Sequence, residues 1–523
     1  MMRNAKYLVA LVFILCSLSA CKKYLVEEVY SSSQSTNFYM NEQQGISALN
    51  GVYAGLRDIY FTYANDYTFF SMLEAPTGTV SFSPGFEGMN YSAKDLGDIK
   101  KVWDRMWVCV NRASMLIKLL KKEDINEISY KRIIAETKFL RALCYFNLVR
   151  MWGDIPLNDG VETIEDAYPV KVRQSLVYKQ IIKDLESAAI DLPTWKQYAA
   201  FGNSGTGNLL NDYKGYERGR ATKGAAQTLL AKVYLTIASS IASNANLYDN
   251  AFDKNEMYTK SRDLCASVYS GGHDYSLTTN YFDIFKEVNE NGKEDIFSIK
   301  FIEGSDLKLG NSLAGMTAVK GLGILTTEVG TLKSTSAFLN EFTVSDKRRA
   351  ATFFLEYINK SNVRVLYPAG IKTLTFKKYW SDYQLSADNI PMQPTTHIFK
   401  TTAADKGRFG DDIPVLRYSD LLLMYAESLN ALGDMANAKE RVADVRERAG
   451  LGRVLPVGSL MDLIVAERRR ELCFEIQLWF DYQRLNIVQR YSPNLADVKY
   501  KYFPIPISDL MMNPGLLPQN PGW

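Results

Sequence analysis

Apart from stretches at 59–91 and 194–216, apolar residues from 41 to 269, and again from 411 to 486, recur at the spacing of an α-helix. In residues 219–242 the apolar set is Ala226, Leu229, Leu230, Val233 and Ile237, the i, i+3, i+4, i+7, i+11 pattern of a buried helical face. Such faces are stable only against one another. The pattern therefore predicts an all-α body built from stacked helices.

The expected helices cover 41–58, 98–122, 129–151, 172–191, 219–242, 255–269 and 459–486, with another pair starting at 411. Residues 98–122 and 129–151 read as an antiparallel pair. Leu140, Cys144, Leu148 and Met151 form one stripe on the second helix, and Gly153 and Pro156 stop it. In the later pair, Tyr418, Leu422, Tyr425, Ala426 and Leu429 share a face. Gly433-Asp434 makes a tight turn, Ala438, Val442, Val445 and Ala449 form the facing stripe, and Gly450 caps it. Two helices so joined resemble one tetratricopeptide repeat, and 129–151 with 172–191, and 219–242 with 255–269, look like looser copies. The helix at 459–486 puts Leu472, Ile476, Trp479 and Phe480 inward. Residues 194–216 read as a loop. Periodicity fails over 270–410, an irregular insertion with some strand, as in Ile296-Phe297-Ser298-Ile299-Lys300-Phe301. From Tyr502 the tail carries Pro504, Pro506, Pro514, Pro518 and Pro521, which excludes a helix and predicts an extended segment packed over the body.

Before the body stands a leader. Arg3 and Lys6 precede an apolar run from Leu8 to Leu18, and Leu18-Ser19-Ala20-Cys21 follows. This is the pattern of a secretory signal. The run is roughly half the ~20 residues needed to span a bilayer, and no later stretch reads as long and apolar enough. A cysteine directly after Ala20 makes residues 1–20 resemble a bacterial lipoprotein signal peptide, which implies acylation of Cys21. Each buried CH2 of an acyl chain contributes about 0.8 kcal/mol to membrane anchoring. Residues 21–37 are polar and Ser-rich and read as a lipidated tether.

Charge argues against nucleic acid as a partner. The chain has 61 basic and 58 acidic residues, and loss of residues 1–20 removes Arg3 and Lys6 and no acid. A chain so close to neutral lacks the electrostatic footprint of nucleic-acid binding. Arg468-Arg469-Arg470 lies between Glu467 and Glu471 and reads as pairing on a helix surface. Cys109, Cys144, Cys265 and Cys473 lack metal-site spacing and read as buried thiols. His273 and His397, the only two histidines, sit in no catalytic motif. Asn289 to Asp295 has the composition of a calcium loop without its twelve-residue ligand spacing and reads as a surface turn. No metal and no cofactor are expected.

Five segments carry a family resemblance: AETKFLRALCYFNLVRMWGDIPL (135–157), GRATKGAAQTLLAKVYL (219–235), RYSDLLLMYAESLNALGD (417–434) with VADVRERAG (442–450), ERRRELCFEIQLWFDYQRL (467–485), and FPIPISDLMMNPGLLPQNPGW at the end. In this order, behind a lipoprotein signal, they resemble the SusD/RagB family of surface glycan-binding lipoproteins. The resemblance implies one SusD-like domain over 38–523: helical repeats at 38–269 and 411–486, a ligand-associated insertion at 270–410, and an extended segment at 502–523. It also implies a non-catalytic protein, lipid-anchored to the outer membrane and facing the cell exterior. Such a protein captures oligosaccharide and passes it to a partner SusC-like TonB-dependent transporter. Acidic residues often follow the acylated cysteine in exported members; here Lys22 and Lys23 come first, and Glu27-Glu28 later.

Sugars present apolar C–H faces and polar edges, so flat aromatic rings with a few planar polar groups suit them. Two aperiodic stretches have that composition. Residues 59–91 interleave aromatics with Asn65, Asp66, Glu74 and Asn90, and Phe82, Phe86 and Tyr91 are the candidate contacts. Residues 376–400 offer Trp380 and Tyr383, with Tyr379, Asp382 and Gln384 beside them. Two other functions stay open at this point: a secreted glycoside hydrolase, which needs a carboxylate pair that no motif singles out, and a repeat scaffold that binds only protein or peptide.

Overall fold

The computed structural model describes Tyr39 and residues 41–523 except 61–66, 83, 161–165, 167, 195–196, 198–218, 246–250, 287–288, 291, 303–308, 326–327, 368–373, 381–383, 387, 389, 394–408 and 496–500. Cys21, the leader and the tether lie outside the described residues.

Ten helices build the body: α1 (Glu42–Tyr60), α2 (Ala93–Leu119), α3 (Glu127–Trp152), α4 (Gln174–Asp191), α5 (Lys223–Ala242), α6 (Lys254–Ser270), α7 (Tyr418–Ala431), α8 (Met435–Arg448), α9 (Leu460–Glu471) and α10 (Leu478–Arg484). From α1 to α8 each helix packs on the next in chain order. The stack runs straight across the insertion, because α6 meets α7 directly. The expected helical body is present, with the insertion looped out of it. Local chemistry sets the helix starts, at 93 where the pattern placed 98, at 127 where it placed 129 and at 223 where it placed 219. Ser92 and Asp95 form a capping box on α2, Asn126 caps α3, and Thr222 caps α5. Gly153 ends α3 at φ 75°, and Gly433 turns α7 into α8 at φ 89°.

α5 is long and apolar enough to cross a membrane by length and composition, contrary to the sequence reading. Its residues are buried among α4, α6 and the C-terminal helices, so it is the centre of the protein core. Cys109, Cys144, Cys265 and Cys473 are all buried and free.

Four further expectations fail, three of them for a long-range reason. The segment before α7 is a strand, β2 (Ile413–Arg417), paired antiparallel with β1 (Asp295–Ile299). The expected single helix at 459–486 is broken at Leu472–Gln477, where Phe474 and Ile476 both have φ of 63°. The broken turn is held by distant groups. Lys378 Nζ donates to the Cys473 carbonyl at 2.8 Å, Tyr379 Oη to the Phe474 carbonyl at 2.9 Å, and the Ile476 amide donates to Glu74 Oε1 at 2.6 Å. The tail does pack as expected, with Trp152 Nε1 donating to the Pro504 carbonyl and Asn520 Nδ2 to the Trp152 carbonyl. It still holds a helical turn at Ile507–Met512, in the proline-free window between Pro506 and Pro514.

The fourth correction concerns charge. Arg468, Arg469, Glu467 and Glu471 are not a surface face; all are nearly inaccessible. Glu471 receives Arg417 Nη1 at 3.1 Å, Arg448 Nη2 at 2.5 Å and Arg348 Nη1 at 3.1 Å. Arg417 also reaches Glu475 at 2.7 Å and Glu294 at 2.6 Å. This buried network ties the insertion (Glu294, Arg348, Lys378) to β2, α8 and α9. Glu294, read as part of a surface turn, is a buried member of it.

Candidate ligand-binding site

The two aromatic stretches do meet. Val80–Ser81 pairs antiparallel with Lys333–Ser334, and Ser334 Oγ donates to the Thr79 carbonyl at 2.9 Å. Below this ladder Phe70 stacks on Phe376 at 6.1 Å, and Phe376 stacks on Phe474 at 4.0 Å. Residues 67–82, the insertion and the break after α9 therefore share one aromatic column.

Glu74 lies at the base of this junction and is fully buried. Burial pushes its carboxyl up to about 8, against the Ile476 amide and Lys378, which favour the charged form. A carboxyl whose folded pKa is raised keeps its proton while the unfolded chain loses it. Stability therefore falls as pH rises from about 4.5 to about 8, by about 1.4 kcal/mol per unit from this group. Glu74→Gln removes that slope. Urea unfolding at several pH values across the window should give a variant-minus-wild-type stability difference that grows with pH; a flat difference would mean Glu74 titrates normally.

The structure changes the list of candidate contacts. Phe86 is only 4 % exposed and Trp380 3 %, so neither offers a face to a ligand. Phe86 packs against Tyr91, and Trp380 donates Nε1 to Thr317 Oγ1 at 2.8 Å. Tyr91 is half-buried, stacked on the C-terminal Trp523 at 5.3 Å, and belongs to the packing of the tail. Tyr379 is buried as well. Phe82 remains half-buried, edge-on to Tyr67 at 5.0 Å, with its amide donating to Glu87. Tyr383 lies outside the described residues.

What Trp380 supports is more informative. It packs with Phe354 at 5.2 Å, and Phe354 in turn backs Tyr357 (6.1 Å, interplanar 20°) and Tyr367 (5.2 Å, 66°). Tyr357 and Tyr367 are half-buried. Tyr357 stands on the second strand, and Tyr367 directly follows the first, of a four-stranded sheet ordered Arg364–Leu366, Glu356–Ile358, Pro391–Met392, Gln384–Leu385. Gln393 and the Arg364–Glu356 pair supply planar polar groups on the same sheet. Sequence reasoning passed over Tyr357 and Tyr367. A signal existed: two β-prone runs flank the turn at Asn359–Val363, where the Asn359 amide bonds the Val363 carbonyl.

A separate polar cleft of 560 Å³ lies between the loop at 276–294 and β2. Glu290 and Asp412 face each other in it. Burial, then the neighbouring Asp412, pushes the Glu290 carboxyl up to about 9. Among the described residues no group of three or more His, Cys, Asp or Glu side chains is placed to hold a metal ion.

The fold defines a helical scaffold that carries an irregular insertion with a half-exposed aromatic face. Comparison with known proteins makes the class specific. Residues 238–495 match the SusD family, and residues 23–201 match the family described as starch-binding and associating with the outer membrane. SusD-like protein P25 of Formosa agariphila is 24 % identical over 98 % of this chain and 97 % of its own length. The starch-binding protein SusD of Bacteroides thetaiotaomicron is 28 % identical over 33 % of this chain and 26 % of its own. A laminarin-binding SusD-like protein superposes with a TM-score of 0.69 at 22 % identity, covering 93 % of this chain and all of its own; a structure with xylogluco-oligosaccharide gives 0.68 at 21 %, covering 90 % and 97 %. The chain belongs to the SusD/RagB family.

Proposed function

We propose that the protein is a non-catalytic glycan-capture lipoprotein of the outer membrane, which binds oligosaccharide at the insertion and delivers it to a SusC-like TonB-dependent transporter. The observation that carries the reading is the Tyr357–Tyr367 face. Two half-exposed rings, fixed from behind by Phe354 and Trp380, suit the C–H face of a sugar at little entropic cost. Relatives described as starch-binding and laminarin-binding support the ligand class.

The leader supports anchoring at Cys21, and membership of the family supports display outside the cell. An apolar surface suits a partner. Tyr168, Val170, Ile507, Met511, Met512 and Leu517 are all exposed, and Asn513 Nδ2 bonds the Pro169 carbonyl, so the two segments adjoin. Phe82 with Tyr67 is a second candidate contact for glycan.

A glycan array probed with the purified mature protein tests the reading. Retention of an oligosaccharide class, with no new reducing ends after prolonged incubation, is the expected result. New reducing ends would make it a hydrolase, and an array with no retained glycan would favour a scaffold for protein alone.

A further inference from the structure

A second pocket, of 290 Å³, lies under the same sheet. Phe282, Ala351, Phe353, Leu355, Ile390 and Pro391 give it apolar walls, and Asn280, Lys347, Glu356 and Asp388 add polar groups. Lys377 lines it and is 6 % exposed. Among the described residues its ammonium has no hydrogen-bond or ion-pair partner, and it lies 5.1 Å from the Phe282 ring. Every comparable buried cation nearby is paired: Lys378 with Glu475, Arg348 with Asp346, and Arg417 with Glu475. Holding an amine in a largely apolar setting without a partner is unfavourable. In Lys377 that cost faces a cavity large enough for a six-membered ring.

The charges around it do not repay it. Glu356 is held by Arg364 at 2.8 Å. Lys347 and Asp388 also line the pocket, and both are exposed to solvent. Across Phe282, Lys286 is already paired with Asp283 at 2.7 Å. An anion brought from outside is the missing partner, and the walls favour one with an apolar body.

We propose that this pocket is a binding site for a small organic acid, whose carboxylate pairs with Lys377 and whose apolar ring lies against Phe282, Phe353 and Ile390. The site lies beneath the glycan face and uses neither Tyr357 nor Tyr367. Burial lowers the Lys377 amine to about 7, with Glu356 opposing the shift, so the free pocket loses its cation as pH rises through neutrality. A bound carboxylate favours the ammonium form. Affinity should therefore fall by about tenfold per pH unit above 7.

Calorimetry of the mature protein with benzoate, and with uncharged benzamide of the same shape, tests the site. Benzoate should bind at least tenfold more tightly than benzamide at pH 6.5, weaken as pH rises to 8.5, and lose at least tenfold in Lys377→Met, whose glycan binding should be unchanged. No measurable benzoate binding, equal binding of benzamide, or affinity independent of pH in the wild type would each overturn the proposal. The last three readouts need no variant, and glycan retention is scored separately.

Discussion

Replacing Glu471 with Ala should cost about 3–5 kcal/mol of stability, because it strands buried cations. The carboxylate is inaccessible to solvent and is shared by Arg417, Arg448 and Arg348. Burial alone would raise its pKa; the guanidinium groups of Arg448, Arg417 and Arg348 outweigh burial and hold it well below the ordinary carboxylate value. A lowered folded pKa means stability that is present above the unfolded value, 4.5, and lost as pH falls below it. A domain's total stability is about 5–15 kcal/mol, so the variant should melt far earlier in urea. Glu447→Ala makes the control. Glu447 pairs with Arg453 on the surface, where both side chains are largely exposed, and such a pair is worth about 0–1 kcal/mol. Equal urea midpoints for the two variants would show that the buried network contributes no more than a surface pair.

Phe474→Ala should be comparably damaging and should also reach the ligand site. The ring is 1 % exposed. It stacks on Phe376 at 4.0 Å and meets Phe338 at 5.8 Å and Phe353 at 6.3 Å edge-on. Those three rings come from the insertion, whereas Phe474 comes from the break after α9. Removing a buried Phe costs about 3–5 kcal/mol, and here the cavity would open where the insertion is fastened to the body. Thermal unfolding should shift down, and glycan affinity should fall even below the melting transition. Glycan affinity unchanged in a destabilised variant would mean that the insertion holds its shape without this column.

The helical stack was legible because its signals are local. The stripe Ala226, Leu229, Leu230, Val233 and Ile237, the Ser92 and Asn126 caps, and Gly153 and Gly433 act within a few residues of themselves. What was not legible depends on partners far away in the chain. Nothing near Arg468–Arg470 announces that Asp420, Asp481 and Glu341 will come to meet it. The break at Leu472–Gln477 exists because Lys378, Tyr379 and Glu74 satisfy its backbone. The ligand site failed in an instructive way. Trp380 stands out in the sequence as an aromatic in an irregular stretch, but aromatic content does not say which rings end up buried. Burial assigns Trp380 to support and leaves Tyr357 and Tyr367 half-exposed.

The most direct measurement compares wild type with the Tyr357→Ala/Tyr367→Ala double variant by calorimetry, using the oligosaccharide that the array retains. Two stacked rings lost from one face should lower affinity at least tenfold, about 1.4 kcal/mol or more, with little change in melting temperature because both residues are only half-buried. A double variant that binds as tightly as the wild type would contradict capture of glycan on this sheet.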